Sequence, residues 1–558
     1  MQLIECVPNF SEGNDLNIIR QITDEIEKVE GVRLLNVDPG KATNRTVVTM
    51  VGEPAKVIEA AFNAIKKAGE LINMSKHKGE HPRMGATDVC PLIPIANITM
   101  EATAKYAQQL AKRVGEELNL PVYLYEAAQP DASRNNLSVI RAGEYEGFFK
   151  KIKEPQWKPD FGPAEFDAKR GATVIGARDF LVAYNVNLNT TSTRRANAIA
   201  FDVREAGRTI EVEGKKVNQP GTLKSVKAIG WFIEEYGVAQ ISMNLTNINI
   251  TPVHIAFDEV CNKANARGIR VTGSELVGLI PLKAMLDAGK YFLQKQQRST
   301  GVSEKELIKI AIKSMGLDAR LNDKVGQELT PFNPNERIIE YMLADKNNNR
   351  LVSMTLTDFA DETASESPAP GGGSISAYVA ALGVSLGTMV ANLSSHKKGW
   401  DNRWAEFSQW ADQGQQLKNE LLKLVDEDTN AFNKIMTAFA LPKATDAEKT
   451  ARTQAIQEAT KYAIEIPFRI MEVAYASMDM IKAMVQTGNP NSVTDAGVGA
   501  LCVRSAVMGA FMNVRINAAG YNDKTFTADL IARGTTIQNK TMAMEAEILK
   551  LVDEKIGG

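Results

Sequence analysis

The spacing of the apolar residues changes once along the chain, near residue 345, and that change limits the folds open to it. Before it, short β-rich runs (LIECV, VRLLNVD, RTVVTMV, DVCPLIPI, VYLY) alternate with helical patterns. In residues 54–73, Val57, Ile58, Ala61, Phe62, Ile65 and Ile72 share one helical face. VRLLNVD and RTVVTMV adjoin across a short turn and read as a hairpin. A second series follows residue 180. FLVAYNVNL reads as a strand, 193–207 as a helix and KAIGWFIEE with AQISMNL as a strand pair. Residues 252–267 then read as a helix and RVTGSELVGLI as the last strand. After residue 345 strand runs vanish, and Ala, Leu and Met recur at helical spacing.

Both early series have the order β-α-β-β-α-β, the split βαβ pattern of ferredoxin-like layers. The later part reads as an all-α helical bundle. The expected architecture is an α/β N-terminal half of two ferredoxin-like subdomains, 1–180 and 181–329. A linker at 330–351, rich in Pro and Asn, and a helical domain at 352–558 follow.

Composition narrows the function. The 558 residues are 44% hydrophobic and 24% charged, a mix that excludes global disorder. Lys and Arg number 65 against 67 Asp and Glu, so the basic excess of a nucleic-acid binder is missing. Cys6, Cys90, Cys261 and Cys502 lie far apart without a CxxC pair, which argues against structural zinc or a disulfide framework. The start MQLIECVPNFSEG has an early acid and no basic-then-apolar run. No signal peptide is expected, and the reducing cytoplasm is the expected compartment. Residues 367–395 carry no charge, but they open on Pro368, Pro370 and Gly371 to Gly373 and continue in Ser, Ala and Gly. Gly383 and Gly387 suit close helix packing, so a buried bundle helix is expected rather than a membrane span.

Two of the four histidines, His77 and His81, fall in SKHKGEHPRMG. Their spacing suits a metal only on a helix, and Gly79 and Pro82 oppose a helix there. Acid/base work on a loop is the functional alternative, with Lys78, Arg83 and Arg45 available to hold carboxylates. A plain surface loop explains the same residues equally well.

The runs ECVPNFSEG, DPGKATNRTVVTMVG, SKHKGEHPRMGATDVCPLIPI, PVYLYEAA, IRAGEYEG, PDFGPAEF and GATVIGARDFLVAYNVNL resemble the glutamate formimidoyltransferase family, from residue 1 to about 340. The resemblance implies that His81 is the catalytic acid/base. It also implies that a folate-contacting loop runs through Gly162, Pro163, Ala164, Glu165, Phe166, Asp167, Ala168, Lys169, Arg170 and Gly171. Further candidates in these motifs are Asp38, Asn44, Arg45, Lys78 and Arg83.

In the helical pattern 417–439, Leu421, Leu424, Val425, Phe432, Ile435 and Phe439 define an apolar face. Asp428 falls near its centre, whereas Asp426 points elsewhere. A carboxylate there is costly unless paired or protonated, and burial raises its pKa toward the range useful for proton transfer. The plain alternative is a core Asp satisfied by a neighbouring helix. Gly372, Gly373 and Ser374 open a helix whose free N–H groups could receive an anion. GNPNSVTDAGVGA reads as a second helix start, with Thr494 or Asp495 as cap.

From about residue 352 on, SPAPGGGSISA, LVDEDTNAF, LPKATDAEK and GNPNSVTDAGVGA resemble the formimidoyltetrahydrofolate cyclodeaminases. This resemblance assigns the catalytic role to Asp428. Together the two imply a bifunctional folate enzyme of histidine breakdown. The formimino group of N-formimino-L-glutamate would pass to tetrahydrofolate, with release of glutamate. Ring closure would then give 5,10-methenyltetrahydrofolate and ammonia. They imply polyglutamylated tetrahydrofolate as co-substrate, no metal, and a homo-oligomeric ring of dimers as large as an octamer. No nucleic-acid or membrane partner is expected. The alternatives are a transferase whose helical domain acts as a cyclohydrolase, or one whose helical domain is a folate-binding scaffold.

Overall fold

A computed structural model describes residues 2–41, 43–79, 82–234, 236–318, 332–343 and 351–557. Contacts divide the chain into two units, 1–284 with 315–344, and 285–314 with 345–558.

In the first unit the strands are β1 (Leu3–Cys6), β2 (Asn9–Phe10), β3 (Val32–Gly40), β4 (Arg45–Gly52), β5 (Thr87–Ala96), β6 (Val122–Glu126) and β7 (Thr173–Ala177). They form one sheet in which β3 pairs with β4, and β1 and β2 lie between β4 and β5, all antiparallel. β7 and β6 extend it in parallel beyond β5. The expected hairpin is β3–β4, whereas β7 was not foreseen and widens the layer.

Alternation sorts this sheet's two faces. Ile4, Cys6, Val48, Met50, Cys90 and Leu92 are buried in the core built with the helices Leu16–Glu27, Pro54–Leu71 and Met100–Glu117. Glu5, Asn9, Val47, Thr49, Val89 and Pro91 stand on the other face. Local chemistry starts the helices. Asp15 and Thr99 accept first-turn N–H groups, and Pro54 occupies a first-turn position that needs no donor.

The strands β8 (Val182–Leu188), β9 (Arg208–Val212), β10 (Lys215–Gln219), β11 (Val226–Ile233), β12 (Val238–Leu245) and β13 (Val271–Val277) follow. β11, β12, β8 and β13 make an antiparallel sheet in that order, and β9–β10 is a separate hairpin. Tyr184, Val186, Ile241 and Met243 are buried on the face covered by the helices Thr193–Val203 and Val253–Asn265. Lys227, Ile229, Trp231, Asn185, Ser242 and Asn244 occupy the opposite face. The helix expected over 193–207 stops at Val203, where the backbone turns at Gly207 (φ 61°) into the unforeseen hairpin.

The second unit is helical. Gly372–Ser395 packs against Trp404–Phe439 and Val493–Ala519, with Asp446–Ala476, Met478–Thr487 and Lys524–Ile556 around them. Gly383 abuts the backbone of Gly499 and Gly387 abuts Met480 and Ile481, the close packing that its small residues predict. Gly372–Ser395 and Pro490–Ala519 are long and apolar enough to cross a membrane. In their most apolar windows 61% and 50% of the residues are buried inside the protein.

Residues 285–314 lie with this helical unit. Lys290 pairs with Asp412 at 2.9 Å, the Thr300 N–H donates to the Ser408 hydroxyl at 3.0 Å, and Asn392 donates to the Gly301 carbonyl at 2.8 Å. The units therefore do not divide at the 330–351 linker alone, because this segment finds partners about a hundred residues further on. Residues 330, 331 and 344–350 of that linker lie outside the described residues.

Two candidate active sites

The polar faces of the two sheets line a cavity of about 760 Å³, and Arg178, Phe180 and Leu181 from the connecting segment join its wall. That volume suits a small-molecule site. Its charged lining is mostly cationic, with Arg45, Arg141, Arg178 and Lys227 against Glu5 and Asp38.

Asp88 organises two of these cations. Its carboxylate is fully buried, and Oδ2 accepts from Arg45 Nη1 and Arg141 Nη1, each at 2.6 Å. Oδ1 accepts the Met84 N–H at 2.8 Å. Burial alone would raise the Asp88 pKa, but the two guanidinium groups hold it below the usual carboxylate range. One acid thus fixes two arginines in the wall and anchors the end of the GEHPRMG loop.

His81 itself lies outside the described residues, and its neighbour Pro82 lines the cavity. His77 is a fixture. Its Nε2 donates to the Asn44 carbonyl at 2.9 Å, which leaves Nδ1 to accept from Arg83 Nε at 3.2 Å. Arg83 also forks onto Glu146 at 2.8 and 2.6 Å and reaches Glu144 at 3.2 Å. Asn44 bridges the Gly13 N–H and the Lys78 carbonyl. Lys78 and Arg83 line a second hollow with His77 and Glu144–Glu146, not the main cavity. Of the further candidates in this unit, Asp38 and Arg45 line the main cavity, and Asn44 and Arg83 hold the loop.

None of Gly162–Gly171 lines the cavity. Lys169 donates to the Glu70 carbonyl at 2.8 Å, and Arg170 donates to Asp167, Leu118 and Asn119. These charges tie the loop to the domain.

In the helical unit the two expected constellations meet. Ser374, fully buried, donates through its hydroxyl to Asp428 Oδ2 at 3.0 Å, and its backbone N–H also bonds to that carboxylate. The anion at the N-terminus of Gly372–Ser395 is therefore the chain's own Asp428. Gly373 leaves the room: a β-carbon there would collide with the carboxylate. Burial raises the Asp428 pKa, and the Ser374 hydrogen bonds partly offset it. Asp426 instead accepts the Leu351 N–H at 2.8 Å, as the helical wheel separates them.

Two details differ from expectation. Phe439 is 51% exposed, because its turn of the helix leaves the packed face, with Arg452 beside the ring. Thr494 and Asp495 lie inside the first turn of Val493–Ala519; Ser492 holds the cap position without a side-chain bond.

The sequence offers no expectation for Glu5, Asp88 or Arg141; Arg178, expected with Lys169 and Arg170 along the folate tail, lines the main cavity instead. The usable signal was an acid inside each of two apolar strands, LIECV and DVCPLIPI. Among the described residues, no group of three or more His, Cys, Asp and Glu is placed to hold a metal ion.

A cation-lined cavity in one unit and a half-buried carboxylate of raised pKa in the other define a protein with two separate candidate small-molecule sites. Family profiles place the cavity and Asp428 in different domains, although residues 285–314, which pack with the helical unit, fall within a transferase profile. "Formiminotransferase domain, N-terminal subdomain" matches residues 3–178, "Formiminotransferase domain" 183–344 and "Formiminotransferase-cyclodeaminase" 355–535. The formimidoyltransferase-cyclodeaminase of Gallus gallus is 41% identical over 99% of both chains. The glutamate formimidoyltransferase of Thermoplasma acidophilum is 44% identical over 53% of this chain and 93% of its own. The methenyltetrahydrofolate cyclohydrolase of Methylorubrum extorquens is 33% identical over 36% of this chain and 97% of its own. The chain belongs to the formimidoyltransferase-cyclodeaminase family.

Proposed function

We propose that the α/β unit transfers the formimino group of N-formimino-L-glutamate to N5 of tetrahydrofolate, and that the helical unit cyclodeaminates the product. The observation that carries this is full-length identity to formimidoyltransferase-cyclodeaminases, spanning both sites. In the first step N5 attacks the formimino carbon, the C–N bond to glutamate breaks, and the N5 proton ends on the departing amine. His81 is the residue that moves this proton. The reading is supported by Pro82 in the cavity wall and by Met84 anchored on Asp88. Arg45, Arg141, Arg178 and Lys227 are suited to the glutamate carboxylates. In the second step N10 closes onto the same carbon and ammonia leaves. Asp428, its pKa raised by burial, takes the N10 proton and returns it to the leaving nitrogen.

The loop Gly162–Gly171 keeps its folate-contacting assignment from the family resemblance, with contact outside the main cavity. The strand orders β3-β4-β1-β5 and β11-β12-β8-β13 support ferredoxin-like layers. A cytoplasmic, dimer-based homo-oligomer using polyglutamylated tetrahydrofolate completes the reading. Mixing the protein with tetrahydrofolate and formiminoglutamate should release glutamate and build the absorbance of methenyltetrahydrofolate. Glutamate release without that absorbance would leave a transferase alone.

A further inference from the structure

Glu5 stands in the middle of β1, opposite Val51 of β4 and Ile93 of β5. Its neighbours Ile4 and Cys6 point into the core, so its own side chain faces the cavity. It is only 2% exposed, and among the described residues no hydrogen bond reaches its carboxylate. A buried carboxyl with no hydrogen bond is costly even with the Arg178 charge nearby, and such a group in a cavity wall points to a donor that arrives with the ligand. The other charges facing the cavity are Arg45 and Arg141, both bound to Asp88, with Arg178, Lys227 and Asp38; Tyr125 also lines it. The cations are suited to the carboxylates of an acidic donor. Glu5 is the buried acid left for a cationic group.

Resting on the transferase reading above, we propose that the Glu5 carboxylate binds the amidinium head of the formimino donor through its two oxygens, and so selects formimino over formyl donors. A planar amidinium offers parallel N–H groups to a carboxylate as a guanidinium does, in a charge-assisted pair. A neutral formyl amide offers one N–H and no charge. Burial pushes the Glu5 pKa up to about 7, with Arg178 opposing the rise. Near neutral pH the empty site therefore holds Glu5 partly protonated, and arrival of the cation expels that proton. Donor affinity should fall as pH falls below about 7.

The test is calorimetric titration of the full chain with N-formimino-L-glutamate and with N-formyl-L-glutamate, in two buffers of different ionisation heat. The parent should prefer the formimino ligand by about 10- to 100-fold and release protons on binding it at about pH 6. Glu5→Gln should bring the two affinities within about threefold and abolish the release. Glu5→Asp, which keeps the charge but retracts it, should retain the preference with weaker binding of both ligands. Thermal melting of each variant confirms that it is folded. A Glu5→Gln protein that keeps the parent's preference and proton release overturns the assignment while leaving the transferase reading intact. Failure of the parent to bind formiminoglutamate overturns both.

Discussion

Gly373 and Asp428 are a matched pair: the carboxylate occupies the space that any β-carbon at position 373 would need. The glycine is required for close approach, not for an unusual backbone angle. Gly373→Ala would normally favour a helix by as much as about 1 kcal/mol. Here it should push the carboxylate off Ser374. Turnover of 5-formiminotetrahydrofolate to methenyltetrahydrofolate should fall by about 100-fold or more, with formimino transfer unchanged. An alanine variant with the parent's cyclization rate would separate Asp428 from the chemistry.

Asp428→Asn keeps the hydrogen bond with Ser374 and loses the proton carrier. Glutamate should still be released, and methenyltetrahydrofolate should not accumulate. Stability supplies a second readout. A carboxyl raised by burial adds stability below its unfolded pKa, about 3.9, and loses it as pH rises through the folded value. Asparagine does not titrate, so the variant's Tm relative to the parent should climb as the pH rises above about 4. A difference that stays flat with pH would contradict a carboxyl raised by burial.

His81→Ala should stop transfer while added 5-formiminotetrahydrofolate is still cyclized, because the two motifs sit in different units. Loss of a general acid/base costs about 10²–10⁴-fold. Transfer within tenfold of the parent would take His81 out of the mechanism.

Arg83→Lys keeps a positive charge, but a lysine cannot fork onto Glu146 and also donate to His77. The loop carrying residue 81 should lose its register, lowering transferase kcat by about 10- to 100-fold without touching cyclization. Steady-state kinetics of both reactions decide it; an unaltered transferase kcat would make the arginine dispensable.

Arg170→Ala should act on stability. Its guanidinium holds Asp167 and the carbonyls of Leu118 and Asn119, so its loss should cost about 1–2 kcal/mol, discounted for partial exposure. The KM difference between mono- and polyglutamylated folate should match the parent's. A narrowed difference would show that this charge serves the polyglutamate tail.

The sequence made some of this legible and concealed the rest for physical reasons. The β3–β4 hairpin and the two β-α-β-β-α-β series show because a period of two is a local property. Asp428 shows because the helical wheel is local too. Glu5 alternates with Ile4 and Cys6 as a solvent-facing acid would, and only the second sheet, about 180 residues later, turns that face into an interior. Asp88 hides in the same way, since its partners Arg45 and Arg141 come from separate segments. Lys169 and Arg170 look free in sequence because nothing local reveals the carbonyls of Glu70, Leu118 and Asn119. Gly373 reads as one of a run of three flexible residues until the helix carrying Asp428 is placed beside it.

The polypeptide passes between its units after residues 284, 314 and 344, so residues 285–314 work as a stitch. Thr300 and Gly301 are sewn to Ser408 and Asn392 by hydrogen bonds. A single nick between residues 345 and 350 would cut the backbone yet leave residues 285–314 of the first piece seated among the helices of the second. Nicked protein should therefore run as two bands after denaturation and as one particle before it. Dividing the two activities between separate polypeptides takes more than a stop codon at the linker: the stitch has to be unpicked or given to the other partner.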